Sequence, residues 1–155
     1  MDNLWKQEYL LDLDNIDDQH KKFFELTAGI VQLAERIEDS HAIEQIIKAI
    51  GGLRVYAFLH FKTEEELLLK YAFPGYLHHT AFHNMYLENM IKLEKEFKIM
   101  LKKKHGGEDI NVAMVEYLTH MADYVAGWWA EHIVKQDSIY AKYIIEHRKE
   151  FGHCE

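Results

Sequence analysis

Residues 60–83 read HFKTEEELLLKYAFPGYLHHTAFH and hold two pairs of candidate metal ligands on either side of a turn. His60 and Glu64 precede the turn, and His79 and His83 follow it, each pair with a spacing of four residues. That spacing puts both members of a pair on one face of an α-helix. Proline and glycine in the segment FPG are typical of a turn. The stretch therefore predicts two antiparallel helices whose ligand pairs lie at a similar height.

Apolar residues recur every three or four positions through most of the chain, which predicts four amphipathic helices. Short connections between long helices make neighbouring helices antiparallel. Ser40 is a candidate N-cap, and Pro74 suits the first turn of the third helix. We therefore predict an all-α fold, an up-down-up-down antiparallel four-helix bundle with an N-terminal arm. The predicted segments are an arm at residues 1–16, helices at about residues 17–38, 41–71, 75–104 and 108–145, and a C-terminal tail, in a single domain of residues 1–155.

The first and last helices place further candidate ligands at the same level. His20 lies 20 residues before the turn at Ser40, and His60 lies 20 residues after that turn. Because a helix rises by about 1.5 Å per residue, such matched distances bring side chains on different helices to one height. The same reasoning along the other two connections completes a set of seven: His20, His60, Glu64, His79, His83, His132 and Asp137.

This set contains more ligands than one tetrahedral zinc ion can use. Five imidazoles and two carboxylates match two adjacent six-coordinate ions that share both carboxylates and leave one coordination position open. Such nitrogen and oxygen ligands suit iron, manganese or zinc. The alternative interpretation is a group of buried side chains that only pair with one another, at a high cost of desolvation. The sequence therefore predicts a two-metal site in the core.

The spacing between His132 and Asp137 is irregular. Five residues rotate a side chain by about 140° on a regular α-helix, so that Asp137 would miss the site. The apolar pattern also changes phase after Asp137, as a π-helical turn with one additional residue would cause. We predict such a turn between the two residues, with Lys135 directed towards solvent.

Composition argues against several partners and locations. The formal net charge of −8 disfavours binding to nucleic acid or to an anionic membrane. No apolar run approaches the roughly 20 residues that span a bilayer, and the N-terminus lacks the features of a signal peptide. The single cysteine, Cys154, cannot form an internal disulfide. We expect a cytoplasmic protein that is a monomer, with weak oligomerisation as the alternative.

Five short motifs resemble the hemerythrin family, specifically its bacterial branch, and the resemblance extends from Trp5 to about Tyr143. They are Asp18-Gln19-His20, His60-Phe61-Lys62-Thr63-Glu64-Glu65, His79-x-x-x-His83, Trp128-x-x-x-His132-Ile133 and Asp137-x-x-Tyr140. The resemblance implies two iron ions in a non-haem di-iron site, bridged by an oxygen atom from solvent. It assigns His79, His83 and His132 to one iron and His20 and His60 to the other. Glu64 and Asp137 would bridge the two ions.

The resemblance also implies that dioxygen binds reversibly, beside an apolar pocket, at the iron with two histidines. The candidate pocket residues are Phe23, Phe24, Phe61, Trp128 and Ile133. The predicted function is oxygen carriage, storage, delivery or sensing, with dioxygen as the partner and without enzymatic turnover. The alternatives on the same ligands are a di-iron oxidase or peroxidase, a nitric oxide-handling enzyme, and iron storage. A ferritin-like oxidase would favour more carboxylates, with paired Glu-x-x-His motifs.

Overall fold

The computed structural model describes residues 4–148 and residue 150. Within these residues the chain is helical and contains no strand. The elements are a short 3₁₀-helix at Gln7–Tyr9, α1 (Asp14–Ala34), α2 (Ser40–Lys70), α3 (Tyr76–His105), α4 (Asn111–His132), a π-helical turn (Ile133–Asp137) and α5 (Ser138–His147). α1 packs against α2 and α4, and α3 packs against the same two helices. The predicted all-α, up-down-up-down bundle is confirmed.

One half of the bundle has a predominantly apolar interior. It lies at the end where α1 leads into α2 and where α3 leads into α4. Burial of each large apolar side chain there contributes about 1.5–3 kcal/mol to folding. Its fully buried residues include Ile30, Ile46, Ile50, Leu53, Met90, Met114, Leu118 and Val125. This half holds the four helices together, which allows the other half to contain buried polar groups.

The first two helices differ from their predicted bounds. α1 begins at Asp14 and ends at Ala34, whereas residues 17–38 were expected to be helical. Ser40 is the first residue of α2 and is not its N-cap. The cap is Asp39, whose carboxylate accepts a hydrogen bond of 2.9 Å from the His41 backbone N–H. Both serine and aspartate are good capping residues, so the sequence alone did not decide between adjacent positions.

The last two long helices begin later than predicted. Pro74 lies in the turn before α3, which begins at Tyr76. α4 begins at Asn111 because the backbone N–H groups of residues 106–108 still bond to the last carbonyls of α3. Gly107 accommodates this turn with a φ of 94°, which favours glycine. The final helix, α5, extends to His147, and the predicted tail beyond residue 150 lies outside the described residues.

The N-terminal arm lies on the bundle, as predicted, and Asp17 fastens it there. Asp17 is buried in the first turn of α1. Its two carboxylate oxygens accept the backbone N–H groups of Leu11 at 2.9 Å and Leu13 at 3.2 Å. The ring of Tyr9 stacks on Phe24 of α1. The arm thus covers the end of the bundle that contains the polar groups.

Among the described residues, none of the helices has an apolar stretch that could span a membrane.

We predict that Asp17→Ala destabilises the protein by about 2 kcal/mol, because two buried backbone donors lose their acceptor. Urea unfolding followed by circular dichroism measures this change. Asp18→Ala is the matched control, since the Asp18 side chain is 77% exposed. Equal stability of the two variants would show that Asp17 does not hold the arm.

Candidate metal centre

Seven polar side chains converge inside the half of the bundle that the arm covers. They come from α1, α2, α3, α4 and the end of the π-helical turn, and each is at most 3% exposed. They are the seven residues that the sequence predicted: His20, His60, Glu64, His79, His83, His132 and Asp137. Potential ligand atoms lie within 4.8 Å of one another in two groups, and Glu64 belongs to both. The structure therefore brings all seven candidates together.

The carboxylate of Glu64 divides the histidines into two sets. Its Oε1 faces the first set, with His60 Nε2 at 3.4 Å and His20 Nε2 at 3.8 Å. Its Oε2 faces the second set, with His83 Nε2 at 3.0 Å and His79 Nε2 at 3.8 Å. One carboxylate oxygen is thus directed to each set.

The carboxylate of Asp137 also directs one oxygen to each histidine set, from the opposite side of the centre. Its Oδ2 lies 3.2 Å from His20 Nε2. Its Oδ1 lies 3.1 Å from His79 Nε2 and 3.0 Å from His132 Nε2. Two carboxylates therefore lie between a set of three imidazoles and a set of two.

The predicted π-helical turn explains how Asp137 reaches the centre, and its presence is confirmed. It spans Ile133–Asp137, directly after His132 at the end of α4. The wider turn absorbs the additional residue and so keeps Asp137 on the side of the helix that His132 occupies. Lys135 is exposed and bonds to Glu131 at 2.9 Å, so it points to solvent as expected.

The charges of the cluster favour ionised carboxylates. Burial raises the pKa of Glu64, but the His60 charge and the close nitrogens of His60, His79 and His83 outweigh it and hold that pKa well below its usual value. Burial and Glu64 raise the pKa of Asp137, but His132 and His20 outweigh both and lower it. Burial lowers the pKa of His79, but Asp137 and Glu64 raise it to about 9. Binding a cation here would therefore release protons from imidazole.

The donor atoms fit metal ions better than they fit one another. The Nε2 atoms of all five histidines are buried, and none makes a hydrogen bond with acceptable geometry among the described residues. The same holds for both Asp137 oxygens and for Glu64 Oε2. Unpaired polar atoms in an apolar interior are costly, and a cation between the two carboxylates would satisfy them. Imidazole nitrogen and carboxylate oxygen are ligands that iron accepts.

Three polar side chains support the cluster from outside. Tyr140 donates its hydroxyl to Glu64 Oε1 at 2.5 Å. Gln19 Oε1 lies 2.6 Å from His60 Nδ1, and Glu65 Oε1 lies 3.2 Å from His83 Nδ1. Such contacts fix which ring nitrogen carries the proton and how the ring is oriented. The sequence placed all three residues within its motifs but did not predict these roles for Gln19 and Glu65.

The predicted pocket residues occupy different places. Phe61 stacks on His83 with ring centroids 3.8 Å apart, and Trp128 stacks on His132 at 4.4 Å. Ile133 is fully buried at the start of the π-helical turn. Phe24, in contrast, stacks on Tyr9 of the arm at 5.3 Å. These contacts put Phe61 and Trp128 on the three-histidine set.

Sequence reasoning missed Trp129, which covers the two-histidine set. Trp129 is fully buried, and its ring centroid lies 5.4 Å from that of His60 and 5.9 Å from that of His20. Phe23, a predicted pocket residue, stacks on it at 3.7 Å. Trp129 lies three residues before His132 and Trp128 lies four before it, and either spacing puts a side chain on the helix face of His132. Both tryptophans were compatible with an inward position, and the sequence-based assignment named only Trp128.

Comparison with known proteins agrees with this geometry. The family model for the hemerythrin HHE cation binding domain matches residues 11–144. The chain belongs to the hemerythrin family. That match includes every residue of the cluster and confirms the resemblance inferred from the motifs.

Three proteins named bacteriohemerythrin resemble this hemerythrin along most of its length. The protein from Clostridium acetobutylicum is 28% identical over 137 residues, which is 88% of this chain and 97% of that protein. The protein from Stenotrophomonas maltophilia is 23% identical over 149 residues, with coverages of 96% and 86%. The protein from Methylococcus capsulatus is 28% identical over 124 residues, with coverages of 80% and 82%.

We predict that insertion of one alanine after Val134 lowers metal affinity by at least about tenfold, because one more residue would rotate Asp137 by about 100° away from the centre. Val134 is 46% exposed, so Val134→Ala is a matched control that keeps the π-helical turn. Metal titration, with circular dichroism to verify helical content, measures the effect. Full metal affinity in the folded insertion variant would contradict the role given to this turn.

Proposed function

We propose that this hemerythrin binds dioxygen reversibly at a pair of iron ions held by the seven-residue cluster. One observation carries the proposal: two shared carboxylates lie between three imidazoles on one side and two on the other. An ion beside the three-histidine set would receive three imidazoles, and an ion beside the two-histidine set would receive one imidazole fewer. The second ion would therefore have an open position, which is the proposed dioxygen site.

The residues of each set follow from the distances. His79, His83 and His132 would hold one ion, and His20 and His60 would hold the other. Glu64 and Asp137 would bridge them. When bound, the two ferrous ions supply an open coordination position and two electrons that pass to dioxygen and return when it leaves.

The chain itself would keep this chemistry reversible by excluding water. Phe23 and Trp129 cover the two-histidine set with stacked rings. Water and protons at such a site promote irreversible oxidation, and apolar walls oppose their entry. Trp128, Phe61 and Ile133 are proposed to complete the apolar surroundings.

The hydroxyl groups near the cluster are poor proton donors. Burial, together with the charges of Glu64 and Asp137, raises the pKa of Tyr140 well above its usual value. Burial also raises the pKa of Tyr86, which packs against Trp129. Both hydroxyls therefore keep their protons at neutral pH. This favours release of dioxygen over its reduction to peroxide or water, and we assign no enzymatic turnover to the centre.

The family and the names of the three relatives support the proposal at the level of a hemerythrin-type metal protein. Iron as the native metal and dioxygen as the partner belong to the proposal. A role in carriage, storage, delivery or sensing is also part of it. The cytoplasmic location and the monomeric state stay predictions from composition.

The experiment is anaerobic loading with ferrous iron, followed by cycles of oxygen and vacuum under visible absorption spectroscopy. We expect a coloured form that appears with oxygen, bleaches under vacuum and returns over repeated cycles. Steady oxygen consumption with a reductant, and no form that bleaches under vacuum, would instead establish an oxidase. Loading with iron but no response to oxygen would leave storage as the function.

Variants of the tryptophans test the water-excluding layer. Trp129→Gln should speed irreversible oxidation to the diferric state by tenfold or more, roughly the effect of losing one supporting contact around a metal site. Trp128→Gln should have a smaller effect, because Trp128 covers the three-histidine set. Trp129→Phe keeps an apolar ring, and His120→Gln changes an exposed residue, so both should behave like the wild type. Equal oxidation rates in all four variants would contradict the role of Trp129.

A further inference from the structure

The two histidine sets differ in the groups that support them from outside. In the three-histidine set, His83 Nδ1 lies 3.2 Å from a carboxylate oxygen of Glu65. In the two-histidine set, His60 Nδ1 lies 2.6 Å from the amide oxygen of Gln19. One support is anionic and the other is neutral. The side chains belong to different helices from the rings they contact, so each contact depends on the packed bundle.

These contacts favour one tautomer of both rings. A carboxylate and an amide oxygen accept hydrogen bonds, so both contacts stabilise the tautomer that carries its proton on Nδ1. The Nε2 atom of each ring is then free to bind a metal ion, and it faces Glu64 in both cases. Gln19 and Glu65 thus prepare both rings for the same kind of bond.

The strength of that bond should differ between the two rings. An anionic acceptor draws the Nδ1 proton away from the ring and makes Nε2 a stronger donor to a metal. A neutral amide does so less. The Glu65 side chain is only 21% exposed, and Phe61 is stacked on one face of His83. The carboxylate charge is therefore only partly screened by water.

We propose that Glu65 and Gln19 are positioning residues that give the two iron ions different reduction potentials. The Glu65 charge stabilises the ferric state at the three-histidine ion, which therefore loses its electron first. The neutral Gln19 amide keeps the two-histidine ion, the proposed dioxygen site, easier to return to the ferrous state. This inference rests on the proposed function, because it requires iron in both sets.

Isosteric substitutions separate charge from shape. Glu65→Gln removes the charge but keeps a hydrogen-bond acceptor, and Gln19→Glu adds a charge with almost the same shape. Glu66→Gln and Gln32→Glu are the matched controls, since both residues are exposed on the same two helices. Each control makes the same change in net charge as the variant it accompanies.

The experiment is an anaerobic redox titration of the iron-loaded full chain. Ferricyanide accepts one electron from each ferrous ion and becomes ferrocyanide, and paramagnetic resonance measures the mixed-valence state. At a fixed ambient potential, Glu65→Gln should raise the ferrous-to-ferric ratio of the ion that is oxidised first by about tenfold. Gln19→Glu should lower the ferrous-to-ferric ratio of the ion that is oxidised second by about tenfold. The two controls should match the wild type.

A purely structural role predicts a different result. Glutamine at position 65 would still accept the proton of His83, so the potentials of Glu65→Gln would equal those of the wild type. That outcome would overturn the inference. So would a Glu66→Gln variant that shifts the first oxidation as much as Glu65→Gln does.

A second measurement tests the inference if one of the variants does not bind iron. In the zinc-loaded protein, the His83 Nδ1 proton should resonate further downfield in the wild type than in Glu65→Gln, because a carboxylate deshields it more than an amide. An unchanged proton signal would also overturn the inference. Neither measurement uses oxygen. If the iron-loaded protein shows two oxidation steps but does not bind oxygen reversibly, the proposed function is wrong. The two oxidation steps still test the inference about Glu65 and Gln19.

Discussion

The main constraint on this structure is the burial of two carboxylates, Glu64 and Asp137, between its four long helices. A carboxylate inside an apolar core is strongly destabilising unless positive charge and hydrogen bonds compensate it. Here five imidazoles surround the pair, and Tyr140 donates to Glu64. In the part of the chain that the structure describes, the imidazole Nε2 atoms have no hydrogen bonds, so cations between the two sets would satisfy both kinds of ligand. Metal binding at this centre would therefore stabilise the folded chain.

The division of the histidines into three and two follows from how the helices deliver them. α3 supplies His79 and His83 to the same side, whereas α1 and α2 supply one histidine each to the other. The π-helical turn then adds Asp137 between the sets without moving His132. This asymmetry links the fold to the proposed chemistry, because it leaves one ion with fewer ligands than its neighbour. The stacked rings of Phe23 and Trp129 lie on that less saturated side.

Most of the fold and the whole seven-residue cluster could be predicted from the sequence. Apolar periodicity defined the helices, and equal distances from the turn at Ser40 put His20 and His60 at one height. The phase change around Asp137 revealed the π-helical turn. Details that depend on local competition were not predictable. Asp39 and Ser40 were both suitable N-caps for α2, and only packing shows that Trp129 lies over His20 and His60. The contacts of Gln19 and Glu65 join different helices, so no pattern within one helix reveals them.

The central claim is that the cluster holds two metal ions, one in each histidine set, with both carboxylates between them. Anomalous diffraction at the iron absorption edge, from crystals of the iron-loaded protein, tests this most directly. We expect two separate peaks, one beside His79, His83 and His132 and the other beside His20 and His60. A single peak, or two peaks in which Glu64 and Asp137 contact the same ion only, would contradict the shared-carboxylate centre.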